Sequence, residues 1–263
     1  MHPMLNIAVR AARRGGDVIV RNLDRGPDLQ IEVKGRRDYV SNVDREAESA
    51  IIETLLKAYP DHQILAEESG TTGNSEYVWI IDPLDGTTNF LHGYPQFAVS
   101  IALQVRGVLD QAVVYAPVTG ELFTASRGGG AMLNNRRIRV SKTRQFDQAL
   151  LATGFPFREE SLIAPYLPSF GELMTLTSGI RRGGSASLDL AFVACGRLDG
   201  YWEFRLKPWD IAAGALLVLE AGGLVDDPKS TSKYLDSGNV VAGNPQIFRH
   251  LLTTLHKHPL PGG

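Results

Sequence analysis

Asp82-Pro83-Leu84-Asp85-Gly86-Thr87-Thr88-Asn89 is the segment of the chain richest in groups that do chemistry. Two carboxylates three residues apart follow an apolar run, Tyr77 to Ile81, that reads as a buried strand. Carboxylates so placed are costly unless paired or bound to a cation. Pro83 stiffens the turn expected between them, and Gly86 allows close approach of a ligand to the backbone. Thr87 and Thr88 are suited to open a short helix whose free N–H groups favour a phosphate. Two acids beside an anion site suggest a hard cation bridging protein to phosphate.

Two further acidic sites stand elsewhere. Glu67-Glu68 follows a short apolar strand, Ile64 to Ala66, and Asp210 opens the apolar run Trp209-Asp210-Ile211-Ala212-Ala213-Gly214. Taken alone, the first pair reads sooner as an exposed acidic loop, and Asp210 as a helix cap. Taken together, three separated acids at element ends are what a multi-metal phosphatase requires. Oxygen-only ligands favour magnesium or manganese over zinc. The six histidines are scattered without a His-x-x-x-His pair, and His256 and His258 read as a solvated tail.

The elements that must position these residues are legible in part. Leu5, Ala8, Val9, Ala12, Val18 and Ile19 recur at near-helical spacing after Pro3, with Gly26-Pro27 as the stop. Leu29 to Val33 alternates as a short strand. A second helix starts near Ser41 or Asn42 and closes at Pro60. Asp44 lies early in it, where a carboxylate also suits the helix dipole. Gln63 to Ala66 is a strand, Phe97 to Val105 and Val108 to Ala116 read as a hairpin through Arg106-Gly107, and Glu121 to Ala125 extends the sheet. Asn134-Asn135 is a turn signal. Further on, Leu150 to Thr153 is a strand. A helical stretch over Glu159 to Leu176 is interrupted by Pro165 and Pro168. Ser185 to Cys195 and Trp209 to Ala221 are helices. Gly200 to Phe204, Leu224 to Val225 and Asn239 to Ala242 are strands, and Pro245 opens a last amphipathic helix. Such alternation implies layers of helix and sheet.

Composition narrows the class. The 263 residues are 43% hydrophobic and 21% charged with net charge −2, ordinary for a globular chain and no argument for a nucleic acid or membrane partner of the whole molecule. One cysteine, Cys195, permits no internal disulfide and fits a reducing compartment. No segment reads as a signal peptide or membrane span, so the expected location is the cytoplasm. The chain is expected to be a single catalytic unit over 1–263, with an N-terminal α+β lobe at 1–145 and a C-terminal α/β lobe at 146–263.

The segments around Asp82 to Phe90 and Trp209 to Gly214 resemble the signatures of the inositol monophosphatase family. The likeness to its bacterial SuhB-type members runs from Met1-His2-Pro3-Met4-Leu5 to Val241-Ala242-Gly243-Asn244-Pro245. The resemblance implies an α-β-α-β-α layered sandwich of the inositol monophosphatase and fructose bisphosphatase type, assembled as a homodimer. It implies a lithium-sensitive hydrolase of inositol monophosphate, with two to three Mg2+ ions per site and a metal-activated water. Glu67, Asp82, Asp85 and Asp210 match metal-binding acids, with the Leu84 carbonyl as a further ligand. Asp44 and Thr87 match the pair that orients the water. Asp85, Gly86, Thr87, Gly184, Ser185, Ala186, Glu203 and Asp210 match the substrate contacts, Glu203 taking the sugar hydroxyls. Arg181 and Arg182 fall near the expected dimer or partner contact, where relatives often carry Thr in place of Gly183. Lys34-Gly35-Arg36-Arg37 resembles a loop flanking the site.

Other readings stay open on these residues. The substrate could be another small phosphate monoester, such as a sugar bisphosphate, histidinol phosphate or an adenosine bisphosphate. The resemblance equally implies a partner of RNA polymerase or Nus-type factors in transcription antitermination, since fold alone does not fix function. Arg136, Arg137, Arg139, Lys142 and Arg144 form a basic run that reads as charge along a solvated strand.

Overall fold

The structure, a computed structural model, describes residues 2–23, 31–35 and 38–260. Gly26-Pro27 and Arg36-Arg37 lie outside the described residues. Helix α1 (Pro3–Asn22) buries Leu5, Ala8, Ala11, Ala12 and Ile19 along one stripe. A hairpin of β1 (Ile31–Gly35) and β2 (Asp38–Ser41) leads into α2 (Asn42–Ala58). Ser41 caps that helix: its hydroxyl accepts from the Val43 amide, while Asp44 accepts from the Ser41 amide and hydroxyl.

The large sheet comprises β3 (Gln63–Ala66), β4 (Gly70–Thr72), β5 (Tyr77–Asp85), β6 (Ala98–Val105), β7 (Val108–Ala116), β8 (Glu121–Ser126), β9 (Gly130–Leu133) and β10 (Arg136–Arg137). Its order is β10-β9-β8-β7-β6-β5-β3-β4, antiparallel except where β3 runs parallel to β5. Short helix α3 (Thr87–Leu91) follows β5. The expected hairpin forms, with Val105 opposite Val108 and both Arg106 and Gly107 at positive φ.

The second sheet joins β11 (Leu150–Thr153), β12 (Gly179–Arg181), β13 (Gly200–Glu203), β14 (Leu224–Asp226) and β15 (Val240–Gly243) in the order β12-β11-β13-β15-β14. Helices α4 (Ile163–Leu176), α5 (Ala186–Ala194), α6 (Pro208–Glu220), α7 (Tyr234–Ser237) and α8 (Pro245–Lys257) complete the described elements. Helix α4 is shorter than expected, because Glu160–Leu162 forms a 3-10 turn ahead of it. Pro165 falls in its first turn, where no intrahelical donor is needed. Pro168 is accommodated within the helix at the loss of one backbone bond.

Five layers result. Helices α1 and α2 cover one face of the large sheet, packing on Trp79, Ile81, Val99 and Ile101. Helices α5 and α6 fill the space between the two sheets, which explains why both are apolar all round. Helices α4 and α8 close the outer face of the second sheet. Each large apolar side chain so buried contributes about 1.5–3 kcal/mol. This is the layered sandwich that the resemblance implied. Among the described residues no helix is long and apolar enough to cross a membrane.

Candidate active site

A cleft of 1460 Å³ opens where β3, β5 and the start of α6 meet the end of β13. Its floor depends on an irregularity in β5. Asp82 faces Ser100 and Asp85 faces Ala98, so β5 advances three residues while β6 advances two. One extra residue in β5 is a β-bulge. In a regular strand, residues three apart point to opposite faces. The bulge restores the same face to Asp82 and Asp85, as the positions of Ser100 and Ala98 require. The sequence reading expected a turn after a strand that ended at Ile81. The strand instead runs through Pro83 to Asp85.

The other acids arrive from neighbouring elements. Glu67 follows β3, with its amide bonded to the Ile81 carbonyl at 3.1 Å, and lines the cleft. Asp210 stands in the first turn of α6, where its Oδ2 accepts the Lys207 amide at 2.7 Å. The Ser100 hydroxyl ties that turn to the large sheet through the Trp209 carbonyl, at 3.2 Å. Oxygen atoms of Asp82, Asp85 and Asp210 lie within 4.8 Å of one another.

Burial, and then the charges of Glu67, Asp85 and Asp210, push the Asp82 carboxyl well above the usual carboxylate range. Asp210 is raised in the same way, by burial first and then by Asp85 and Glu67. No lysine or arginine forms an ion pair with Asp82, Asp85 or Asp210 among the described residues. A buried group of acids without a basic partner fits a hard divalent cation, and the all-oxygen donors fit magnesium.

Each acid has one oxygen committed to the protein. Asp82 Oδ1 accepts the Leu84 amide at 2.9 Å. Asp85 Oδ2 accepts three donors: the Ser185 hydroxyl at 2.7 Å, the Ser187 amide at 2.7 Å and the Ser187 hydroxyl at 2.5 Å. Ser187 carries no motif, and sequence reasoning missed it. It also missed Glu48, buried on α2 one turn beyond Asp44. Glu48 accepts the amides of Glu68 and Ser69, both at 2.9 Å, and so holds the loop that carries Glu67. The available signal was helical spacing: Asp44 and Glu48 share one face of α2.

Thr87 donates to Asp44 Oδ1 at 2.8 Å and lies 3.1 Å from the Leu84 carbonyl. Burial raises the Asp44 carboxyl, partly offset by its bonds from Ser41 and Thr87. Gly86 precedes Thr87 with φ of 101°, where a Cβ would sit 2.9 Å from the Gln96 carbonyl and 3.3 Å from that of Gly184. Glycine is therefore required at that corner.

The opposite wall belongs to the second sheet. Glu203 ends β13, accepts the Tyr201 hydroxyl and is pushed up to about 7 by burial. A Cβ on Gly154 would overlap the Glu203 carboxyl, so β11 must leave that space empty. Gly184 and Ala186 line the cleft, while Ser185 is buried behind it on Asp85. The structure separates the arginine pair. Arg182 lines the cleft with its guanidinium 5.9 and 5.2 Å from the rings of Phe155 and Phe157, whereas Arg181 is exposed on the edge strand β12. The flanking loop expected at 34–37 falls partly outside the described residues. His258 is not solvated as expected: its Nε2 lies 2.7 Å from Glu172.

Comparison with known proteins accords with this geometry. The family model described as "Inositol monophosphatase family" matches residues 1–260. The Nus factor SuhB of Pseudomonas aeruginosa is 54% identical over 99% of this chain and 98% of its own length. The crystal structure of extragenic suppressor protein SuhB from Bartonella henselae superimposes with a TM-score of 0.95 at 46% identity, covering 98% of this chain and 100% of that one. The inositol monophosphatase from Anabaena matches with a TM-score of 0.86 at 42% identity, over 97% and 96% of the two chains. By sequence and by fold, the chain belongs to the inositol monophosphatase family.

Proposed function

We propose that the chain is a magnesium-dependent phosphatase acting on small polyol or sugar phosphate monoesters, with myo-inositol 1-phosphate favoured. The observation that carries this reading is the convergence of Asp82, Asp85 and Asp210 beside the Thr87–Asp44 pair at the floor of one cleft. In this reading, Glu67, Asp82, the Leu84 carbonyl, Asp85 and Asp210 hold two to three Mg2+ ions. Magnesium, when bound, supplies Lewis-acid stabilisation of the phosphoryl and leaving-group oxygens.

The chain's own residues do the rest. A hydroxyl has one hydrogen to donate and two lone pairs to accept. Thr87 gives its hydrogen to Asp44 Oδ1, which leaves its oxygen free to accept from a water and aim it at phosphorus. As that water attacks phosphorus, the ester P–O bond breaks and the polyol leaves as an alkoxide that takes a proton from solvent. Meanwhile Thr87 takes the water's proton and passes its own to Asp44 Oδ1. The second Asp44 oxygen is already filled by Ser41, so the proton has one place to go. Amides at Gly86 and Thr87, in the unsatisfied first turn of α3, contact the phosphate. Glu203 accepts substrate hydroxyls on the far wall, with Gly184 and Ala186 forming the adjoining rim and Ser185 supporting it from behind through Asp85.

The test is a substrate panel on purified protein with and without chelator. Myo-inositol 1-phosphate should outperform fructose 1,6-bisphosphate, chelation should abolish turnover, added magnesium should restore it and lithium should inhibit. Full activity in excess chelator overturns the metal reading. Faster hydrolysis of the bisphosphate reassigns the substrate.

A second role is favoured by the Pseudomonas aeruginosa relative, a Nus factor. In that role the protein is a cytoplasmic homodimer that also engages RNA polymerase or Nus-type factors. The exposed side chains Leu167, Met174 and Leu176 of α4, the helix that precedes Arg181 and Arg182, support an interface there. Sedimentation and pull-down with Arg182→Ala test it: a joint shift in dimerisation and partner binding is expected. No change in either refutes the assignment.

A further inference from the structure

The basic run expected to alternate along a solvated strand does not do so. Only Arg136 and Arg137 pair as a strand, and the chain then crosses from the large sheet toward the second without regular structure. This strap is nevertheless pinned. The Ile138 amide donates to the Ala131 carbonyl at 3.0 Å, and the Val140 amide to the Ala221 carbonyl at 3.2 Å. The Asn244 side-chain amide donates to the Ser141 hydroxyl at 2.8 Å and to the Thr143 carbonyl at 3.0 Å. Ile138 and Val140 pack inward on the core between the sheets.

What remains outward is charge. Arg136, Arg137, Arg139, Lys142 and Arg144 are all exposed, and among the described residues none forms an ion pair. The sequence holds no acidic residue from Gly128 to Phe146. The nearby carboxylate of Glu220 is committed to the amides of Gly128 and Gly130, both at 2.7 Å. Four surface arginines elsewhere differ: Arg45, Arg106, Arg127 and Arg197 each have a carboxylate within 3.4 Å. At its end the strap reaches a stacked pair, Phe146 and His250, with ring centroids 4.9 Å apart and planes 18° apart. Phe146 is anchored in the outer core and His250 is exposed.

We propose that the strap from Arg136 to Arg144, with the Phe146–His250 stack, is a docking surface for single-stranded nucleic acid. A polyanion backbone matches a line of unpaired cations held in place beforehand, and an exposed ring offers a base something to stack on. The geometry disfavours the alternatives. A protein partner needs an apolar anchor at the centre of its interface, and the strap turns its isoleucine and valine inward. A duplex keeps its bases stacked and has no use for the ring pair. The strap lies outside the proposed phosphatase site, so the inference stands or falls independently of that reading.

The experiment is fluorescence anisotropy on the full chain at 50 and 200 mM salt. The probes are a labelled 20-nucleotide single-stranded RNA, the DNA of the same sequence, its duplex and a polyglutamate peptide. The variant R136A/K142A/R144A removes three cations whose side chains make no hydrogen bond or ion pair among the described residues. Single strands should bind more tightly than duplex or peptide. The triple variant should weaken binding at least tenfold and reduce the salt slope by about 2, since each lost contact removes about 0.7. His250→Ala should weaken binding about fivefold or more, without changing that slope. The RNA and DNA arms show whether the sugar matters. Equal affinity of wild type and triple variant, with unchanged thermal stability, overturns the proposal, as does tighter binding of the peptide or the duplex.

Discussion

The floor and the far wall of the cleft are both acidic, yet they are built in opposite ways. On the floor, Asp82, Asp85 and Asp210 come from a bulged strand and a helix start, and each has an oxygen held by backbone amides or serine hydroxyls. On the wall, Glu203 stands alone at the end of β13, held by one tyrosine hydroxyl and the space left by Gly154. The floor concentrates like charge and therefore calls for cations. On the wall, burial is the main cause that pushes Glu203 up to about 7, with the charge of Asp85 adding to it. In the proposed reading, one region serves metal and the other hydroxyl recognition with the same type of functional group.

The largest break in this contrast should come from Asp82→Asn. With Asp82 at the centre of the proposed metal site, turnover should fall by more than the about 10⁴-fold upper limit for loss of a general base. Without metal the same change relieves repulsion among buried acids. The melting temperature in chelator should therefore rise by about 2–4 °C for each kcal/mol gained. A turnover assay with magnesium reads the first effect and scanning calorimetry in chelator the second, and a lower melting temperature in chelator would show that the floor acids are not in conflict.

Thr87→Ala or Asp44→Asn should come next, lowering kcat by about 10²–10⁴-fold while magnesium binding persists. Stopped-flow turnover paired with titration calorimetry separates chemistry from metal affinity. Wild-type kcat in either variant removes the pair from the mechanism.

Glu48→Gln and Ser187→Ala probe how the floor is held. Glutamine retains one acceptor for two amides, and alanine removes one of three donors to Asp85 Oδ2. Each should weaken magnesium binding about tenfold, the lower end for a group that orients a ligand. If stability in chelator falls but the stabilisation added by magnesium is unchanged, their role is structural only.

The smallest effect is expected at the wall. Glu203 ordinarily titrates near 4.5 and here is pushed up to about 7. Between these values the native state keeps a proton that the unfolded chain has lost, so stability should fall as pH rises through this window. Glu203→Gln should flatten that fall in denaturation curves measured from pH 4.5 to 8. The same variant should raise KM for myo-inositol 1-phosphate more than for a simple phosphate ester that lacks hydroxyls. Equal effects on the two substrates would detach Glu203 from hydroxyl recognition.

Local chemistry and periodicity made much of this molecule legible in its sequence. Pro245 and the stripe of α8, the Arg106-Gly107 hairpin and the strand from Leu150 to Thr153 follow from turn residues and spacing a few positions wide. The octapeptide from Asp82 to Asn89 pointed to metal and phosphate chemistry because acids, glycine and threonines are adjacent along the chain. Other features depend on segments far apart in sequence, and only the tertiary structure decided them. A three-residue spacing in a strand does not reveal that Asp82 and Asp85 share a face. The bulge against β6 does that, by adding one residue to a repeat of two. Glu48 and Ser187 looked like ordinary helix residues until packing brought them to the Glu67 loop and to Asp85. The strap from Arg136 to Arg144 looked like any solvated basic run. Its pinning by Ala221 and Asn244 comes from segments far along the chain, and hydrogen bonds between segments so distant leave no periodicity for a sequence to show.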